Sequence, residues 1–415
     1  MAKIINTAYG TMGDILPLLT LGQGMKARNH QIYMAIPQQM HSFCLKAGLN
    51  PISVGHEPIN AEKVRKSALL WNNWSSSLDD LEARKKLSDS HTWFNIEKSI
   101  NNLLDRCGDA ELIISNPQQE IVAAVVAEKL RIPLVRAVVT PALLYQPNNW
   151  WKTAQWLRQR AIFYDSYHEL RRKQKLIDSA PWKAYWKYDR LIFAASPYLY
   201  PSPPYCFSSN QTGFWFYKAP RWDDWQPDSR LKEFMSVDKQ PLVLSFSSQP
   251  ILNRPEFIAC HVRAAMQLGR RILIQGGWSD FNTSHLPEDI DRDSVMFTGF
   301  MPQDWLFARA AAVITHGGIG TIARALRNGC SMLIEPHTYE QCFNAHKVLN
   351  WGVGAAMYPE KLTAAGIAKV LAQKVLTKNC QQKAREIKLQ INNEHGIDRA
   401  CNLIETWLSQ KETLL

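Results

Sequence analysis

The chain has 415 residues, with 48 Lys and Arg against 37 Asp and Glu, a formal charge of +11. Its apolar content of 46% and charged content of 20% exclude wholesale disorder, and its length suits two domains of about 100–200 residues each. No run approaches the roughly 18 apolar residues of a membrane span, and MAKIINTAYG lacks the apolar stretch of a secretory signal. The eight Cys form no C-x-x-C pair and the 11 His are dispersed, so no metal-ligand spacing is present. The expectation is a reduced, cytoplasmic protein without structural disulfides, resident metal or cofactor. The charge excess alone is compatible with nucleic acid, an anionic membrane, an anionic substrate or no partner.

Lys3-Ile4-Ile5-Asn6-Thr7-Ala8 reads as a strand, followed by the turn Gly10-Thr11-Met12-Gly13-Asp14 and a helix from about Ile15 with Pro17 in its first turn. Residues 31–36, 112–115 and 132–139 are further apolar strands, with a helix over Glu120–Leu130. The second half repeats the alternation, with strands at 241–246, 271–275, 295–297, 311–315 and 331–336 and a helix over Ile322–Asn328 that Gly329 ends. Strands alternating with helices predict parallel sheets covered on both faces. The boundaries fall at 1–218, a Pro-, Trp- and Asp-rich linker at 219–238, and a second domain at 239–395. In the final segment, 396–415, Ile397, Ala400, Ile404, Trp407 and Leu408 share one helical face. That face is expected to be buried, either on the second domain or back across the first.

The segment His316-Gly317-Gly318-Ile319-Gly320-Thr321 leaves a strand and enters a helix. Its glycines free the backbone for positive φ and close ligand approach, and a helix N-terminus favours an anion such as a diphosphate. Thr321 adds a hydroxyl and His316 a ring donor. A plain strand-to-helix turn is the alternative. Neither a P-loop nor a G-x-G-x-x-G fingerprint fits.

The segment does not stand alone. PQDWLF precedes it at 302–307, RALRNG follows at 324–329, and PHTYEQCFNA closes the series at 336–345. In order and spacing these stretches resemble the family 1 glycosyltransferases of the GT-B fold, in particular their bacterial and sterol-glucosyltransferase-like branch. Gly10-Thr11-Met12-Gly13-Asp14-Ile15-Leu16-Pro17, KARNHQIYMAIP and KAGLNPISVG resemble the N-terminal half of the same family. The resemblance is weakest at residues 57–110 and 145–190. It implies an α/β chain of two Rossmann-like domains whose parallel sheets face an interdomain cleft. It also implies a nucleotide-sugar donor, UDP-linked by default with dTDP and GDP open, and a hydroxylated lipophilic acceptor.

Site roles follow from the same resemblance. Diphosphate contacts fall on His316, Gly318, Gly320 and Thr321, with Gly317, Gly13 and Ser248 beside them as nucleotide-sugar-binding residues. Phe300 is expected to stack on the nucleobase, or else to be a core aromatic, and the Met301 backbone to bond the base edge. Glu340 and Gln341 stand where the family has Asp-Gln for sugar hydroxyls, a pairing of acceptor and donor that suits them. Asp14 is expected to be the general base of an inverting single displacement; the alternative is a helix N-cap. Three departures bear on donor choice: Ser247 for a Gly, Glu340 for Asp, and Arg324 where plant-type relatives place a ribose-binding Glu.

Eleven of the 15 Trp lie at or before residue 225. From Trp151 to Arg190, ten basic residues face four acidic ones, interleaved with Trp151, Trp156, Phe163, Tyr164, Tyr167, Trp182, Tyr185 and Trp186. This stretch suits an amphipathic acceptor or peripheral contact with an anionic membrane, or else a solvated helical face over an aromatic core. The mixed charges and the lack of an RNA-binding motif argue against nucleic acid. Two competing classes remain: a transferase-like binding partner without turnover, and a GT-B sugar-nucleotide epimerase, which lacks the ordered motif series.

Overall fold

A computed structural model describes residues 1–53, 96–144, 167–176, 189–202, 208–219, 223–236 and 239–410. The chain divides into two compact units. Of the described residues, the first draws on those within Met1–Ile59, Asp89–Arg221 and Glu394–Leu415, and the second on those within Trp222–Asn393.

The first unit is built on six parallel strands, β1 (Lys3–Thr7), β2 (Gln31–Ala35), β3 (Asn50–Ile52), β4 (Leu112–Ser115), β5 (Leu134–Val138) and β6 (Asp189–Phe193). Their order is β3-β2-β1-β4-β5-β6. The helices are α1 (Met12–Ala27), α2 (His41–Lys46), α3 (Ile96–Cys107) and α4 (Glu120–Leu130). The central strands read LIIS and KIINT and are buried on both faces, as crossover helices require. Each fully buried Ile or Leu there contributes about 1.5–3 kcal/mol against exposure.

The second unit repeats the plan with β7 (Leu242–Ser245), β8 (Ile272–Gln275), β9 (Val295–Thr298), β10 (Ala312–Thr315), β11 (Met332–Ile334) and β12 (Gly354–Ala356). The order is β12-β11-β10-β7-β8-β9. Its helices are α5 (Ser229–Met235), α6 (Arg254–Gln267), α7 (Gln303–Phe307), α8 (Ile319–Arg327), α9 (Tyr339–Asn350), α10 (Ala364–Val370) and α11 (Lys378–Asn392). Both sheets have the doubly wound 3-2-1-4-5-6 order, in which the connections diverge between the first and fourth strands. Ligands of such sheets bind in the crevice at that divergence, outside the strands' carboxyl ends.

Four details differ from the sequence expectation. Helix α1 begins at Met12, with Thr11 as its N-cap, so Asp14 is the third residue of the helix and not the N-cap itself; its carboxylate closes a capping box by accepting from Thr11 N at 2.7 Å. Helix α8 begins at Ile319, with Gly318 as N-cap, so Gly320 and Thr321 lie inside it. Strands β3, β6 and β12 escape the pattern because they are short, charged at one end or built of small residues. Within the stretch read as a linker, α5 forms, capped by Asp228 Oδ1 accepting from Leu231 N at 2.7 Å.

The last helix, α12 (Gly396–Ser409), lies on α1. Gly24 allows the contact, since a Cβ there would stand 2.7 Å from Ile397 Cγ2 and 2.9 Å from Cys401 Sγ. Arg28 Nη1 donates to Glu405 Oε2 at 2.6 Å beside it. No helix among the described residues is long and apolar enough to cross a membrane.

Most of the basic, aromatic stretch from Trp151 to Arg190 lies outside the described residues, including all four of its Trp. Of the part described, Arg171 is 2% exposed and its guanidinium forks onto Glu128, at 2.7 Å from Nε and 2.6 Å from Nη2. Tyr167 Oη donates to the same carboxylate at 2.9 Å. This cation serves the interior, not a membrane or an acceptor. Replacing Glu128 with Ala removes the carboxylate from a buried guanidinium and is expected to destabilise the first unit by about 3 kcal/mol in urea titrations. Adding Arg171→Met is expected to recover most of that loss.

Candidate functional site

Each sheet gathers candidate residues at the carboxyl ends of its strands. In the first unit, β1 runs out through Ala8 and Tyr9 to Gly10, whose φ of +128° turns the chain into α1. A Cβ on Gly10 would lie 2.4 Å from Asp14 Oδ2, so the turn admits only glycine while Asp14 holds its place. Oδ2 of Asp14 accepts from Thr11 N at 2.7 Å and Thr11 Oγ1 at 3.1 Å. Oδ1 accepts from Gln118 Nε2, across from the loop after β4, at 2.9 Å. Burial pushes the carboxyl above its ordinary range, and the Thr11 and Gln118 hydrogen bonds oppose that rise. The outcome is an oriented carboxylate with raised basicity at the divergence point of the first sheet. Gly13, one residue before it, is exposed on the first turn of the helix.

In the second unit the candidate residues are strung along one sheet edge. Phe300 and Met301 follow β9, Ser248 follows β7, His316 to Gly318 follow β10, and Glu340 with Gln341 follow β11. With about 4.8 Å between neighbouring strands, β9 lies about 14 Å from β10. Phe300 is 47% exposed and Met301 6%, so the aromatic face is presented outward and is not part of the core. Gln275 holds that turn, with its Oε1 accepting from Ser245 Oγ at 2.7 Å and its Nε2 donating to the Gly299 carbonyl at 3.4 Å.

The loop after β10 is shaped by close contacts. Gly317 has φ +94°, and a Cβ there would meet Ile334 Cγ2 at 2.7 Å. A Cβ on Gly318 would lie 2.5 Å from His316 Nε2, so the imidazole lies along the entry to α8. A Cβ on Gly320, at the second position of α8, would have no described atom within 4 Å. At the start of α8 the Thr321 and Ile322 N–H groups donate to the Gly318 carbonyl at 3.0 and 3.1 Å, and the Ile319 and Gly320 N–H groups ahead of them, with the helix dipole, suit an anion.

His316 is 6% exposed, and burial together with the nearby His337 lowers its pKa to about 3. It is therefore a neutral hydrogen-bonding group at physiological pH and not a counter-charge. Thr315 Oγ1 lies 3.3 Å from Nδ1; if that hydroxyl donates, Nε2 carries the hydrogen toward Gly318. The same shift carries a stability signature. The unfolded chain protonates His316 below pH 6.5 and the folded chain only near pH 3, so stability falls with pH through that window. At about pH 5 the penalty is about 2 kcal/mol, and His316→Gln is expected to remove it from a pH series of denaturant midpoints.

Gln341 is 8% exposed, and its amide is engaged by its own chain. Oε1 accepts from His337 N at 2.7 Å and Nε2 donates to Gln249 Oε1 at 3.0 Å, leaving one N–H beyond these contacts. Glu340 stands beside it in the first turn of α9 and is partly exposed. Arg324, at the position of the ribose-binding Glu of plant-type relatives, donates to Asp304 Oδ2 at 2.6 Å, and Asn328 Nδ2 to Asp304 Oδ1 at 2.9 Å. Its charge is thus directed to α7.

Ser247, where the family has Gly, keeps the left-handed backbone at φ +45°. Its carbonyl accepts from Trp278 N at 2.8 Å and lies 2.4 Å from the Cβ position of Gly277. The close passage is retained and the serine bears the strain. Ser247→Gly is expected to raise stability by up to about 1 kcal/mol, read as a higher denaturation midpoint.

Sequence reasoning missed two groups. Asn344, fully buried, donates from Nδ2 to the Gly317 carbonyl at 2.9 Å and so fixes the glycine loop from α9. Its signal was a second buried polar residue three positions after Gln341, on the same helix face. His261 and Glu335, both fully buried, pair at 2.9 Å between α6 and the end of β11. A Glu inside the apolar run SMLIEP was the clue there.

Comparison with known proteins gives matches to both units. Residues 4–145 match the model of the glycosyltransferase family 28 N-terminal domain. Residues 268–395 match the erythromycin biosynthesis protein CIII-like C-terminal domain. A sterol 3-beta-glucosyltransferase of Komagataella phaffii is 25% identical over 97% of the chain and 34% of the relative. The chain thus spans about a third of the length of that protein. The O-mycaminosyltylonolide 6-deoxyallosyltransferase of Streptomyces fradiae is 22% identical over 99% of both chains. Among solved structures, a calicheamicin glycosyltransferase aligns with a TM-score of 0.74 at 18% identity, over 99% of this chain and 98% of its own. A glycosyltransferase crystallised with dTDP aligns at 0.64 and 14% identity, over 98% and 100%.

Proposed function

The chain belongs to the GT-B glycosyltransferases of the family 1 type, and from that membership we propose that it transfers a hexose from a nucleoside diphosphate sugar to a hydroxyl of a lipophilic acceptor. The observation that carries this reading is the linear order of the second sheet's edge. An exposed aromatic, then a serine and a glycine-rich helix entry, then a carboxylate beside an amide follow one another from β9 to β11. That is the order of base, diphosphate and sugar along a nucleotide sugar. UDP is the proposed carrier. Phe300 stacks on the base, the Met301 backbone bonds its edge, and Glu340 and Gln341 take the hexose hydroxyls.

In this mechanism Asp14 takes the proton of the acceptor hydroxyl as its oxygen attacks the anomeric carbon. The bond to the diphosphate breaks on the opposite face, which inverts the centre. The negative charge that grows on the leaving group meets the α8 N–H groups, the Thr321 hydroxyl and the neutral His316 donor. These donors are fixed before the reaction, so they stabilise charge without reorganising. The raised basicity of Asp14 suits the base role, since an ordinary carboxylate is too weak to draw a proton from an alcohol near neutral pH.

The acceptor is proposed to be a lipid, sterol-like or polyketide alcohol bound by the first unit. The basic, aromatic stretch after Trp151 is proposed to contact an anionic membrane peripherally, and co-sedimentation with anionic liposomes at low salt tests that part. Calorimetry with UDP, dTDP and GDP is expected to give tightest binding for UDP. Asp14→Asn is expected to keep UDP affinity within about twofold while kcat falls about 10²–10⁴-fold with an alcohol acceptor. UDP binding without UDP release from any sugar donor and alcohol panel would instead favour a binding partner without turnover.

A further inference from the structure

The Asp14 carboxylate is held from two separate elements. Thr11 fixes Oδ2 twice from the start of its own helix. Oδ1 is held across the divergence point by Gln118. Gln118 lies on the short helical turn Pro117–Gln119 after β4, and its neighbours are locked into place. The Asn116 carboxamide pairs with the Tyr9 peptide as another backbone would, Nδ2 donating to Tyr9 O at 2.7 Å and Oδ1 accepting from Tyr9 N at 3.3 Å. Oδ1 also accepts from Gln119 N at 3.3 Å, and Asn116 N donates to Thr7 O at 3.2 Å. Thr7 Oγ1 donates to Gln119 Oε1 at 3.3 Å. Asn116 and Gln119 are fully buried, whereas Gln118 between them is exposed and, among the described residues, its amide reaches the carboxylate alone.

We propose that Gln118 is a positioning residue for Asp14, and that the Asn116 clamp registers the β1 and β4 loops so that the Gln118 amide meets Oδ1. The inference rests on Asp14 acting as the base. A carboxylate anchored through Oδ2 alone is free to swing Oδ1 about its terminal torsion. With the Gln118 donor in place both oxygens are oriented, and Oδ1 keeps a second lone pair for the incoming acceptor proton. An exposed glutamine contributes little to folding, so conserving this hydrogen bond matters for the geometry of the carboxylate and not for stability. Burial and the hydrogen bonds from Thr11 and Gln118 set the ionisation of Asp14; no charged side chain of the described residues enters.

The test uses the full chain with Gln118→Leu, Gln118→Glu and Gln118→Lys. The Asp14 carboxyl is titrated by 13C NMR, its signal assigned by its loss in Asp14→Asn. Removing the donor is expected to raise the Asp14 midpoint by about half a pH unit in the Leu variant and about one unit with the second carboxylate of the Glu variant. The Lys variant, which restores a donor, returns to the wild-type midpoint or below. With an alcohol acceptor, Gln118→Leu is expected to lower kcat about tenfold at unchanged donor KM, and the acid limb of its pH profile moves with the titration. Midpoints that coincide with wild type in both the Leu and Glu variants overturn the proposal, as does an unchanged kcat and acid limb. If the wild-type chain transfers no sugar, the functional reading fails, and the order of the NMR midpoints still decides the coupling on its own.

Discussion

The turn after β10 must pass between a strand, a helix and an imidazole with no room for a side-chain carbon. At Gly317 the limits are Ile334 and the Gln341 carbonyl; at Gly318 the limit is His316 itself. That steric constraint decides where α8 starts, which N–H groups remain unpaired, and along which line the His316 ring lies. Asn344 makes the arrangement rigid by gripping the Gly317 carbonyl from α9. The first sheet repeats the device in miniature, with Gly10 making space for the Asp14 carboxylate. In both sheets a backbone-only corner stands beside one ionisable group at the point where the connections diverge.

Burial treats those two groups oppositely. It drives His316 neutral and makes Asp14 more basic, in each case by penalising the charged form. The second unit therefore offers an anion dipoles and neutral donors. Its nearby cation, Arg324, is drawn toward Asp304. The net charge of +11 says little about this locus, because glycines, a helix end and a neutral imidazole carry no formal charge. Recognition through fixed dipoles depends on distance and direction, which makes the glycine geometry the controlling variable.

Much of this was legible in the sequence. Long apolar runs such as LVLSF and AVIT declare buried parallel strands, and the helix over Glu120–Leu130 is read to the residue. The glycine-rich turn and Asp14 are visible because chemistry-bearing residues stand at a change of periodicity. Less visible were features made by packing. Helix α8 starts three residues earlier than its apolar face suggests, since a glycine at its second position hides the start. The residue type of Ser247 does not show that it keeps a backbone usually left to glycine, and only the family's Gly at that position pointed to it, because tertiary contacts impose it. The clamp of Asn116 on Tyr9 joins residues 107 apart and leaves no local signature. The pairing of Arg171 with Glu128 likewise turns a residue that looked like part of a basic surface into an interior one.

The seat of α12 on α1 has a consequence for how the chain is made. The first unit takes its last helix from the end of the sequence, with the entire second unit intervening. A ribosome adding about 5–20 residues per second therefore leaves α1 without that cover for roughly 10–35 seconds after the rest of the first unit has emerged. During that interval the small-residue notch at Gly24 and the apolar strip around it stand open. The second unit can complete its own sheet first, so the domain begun earliest is the one finished last.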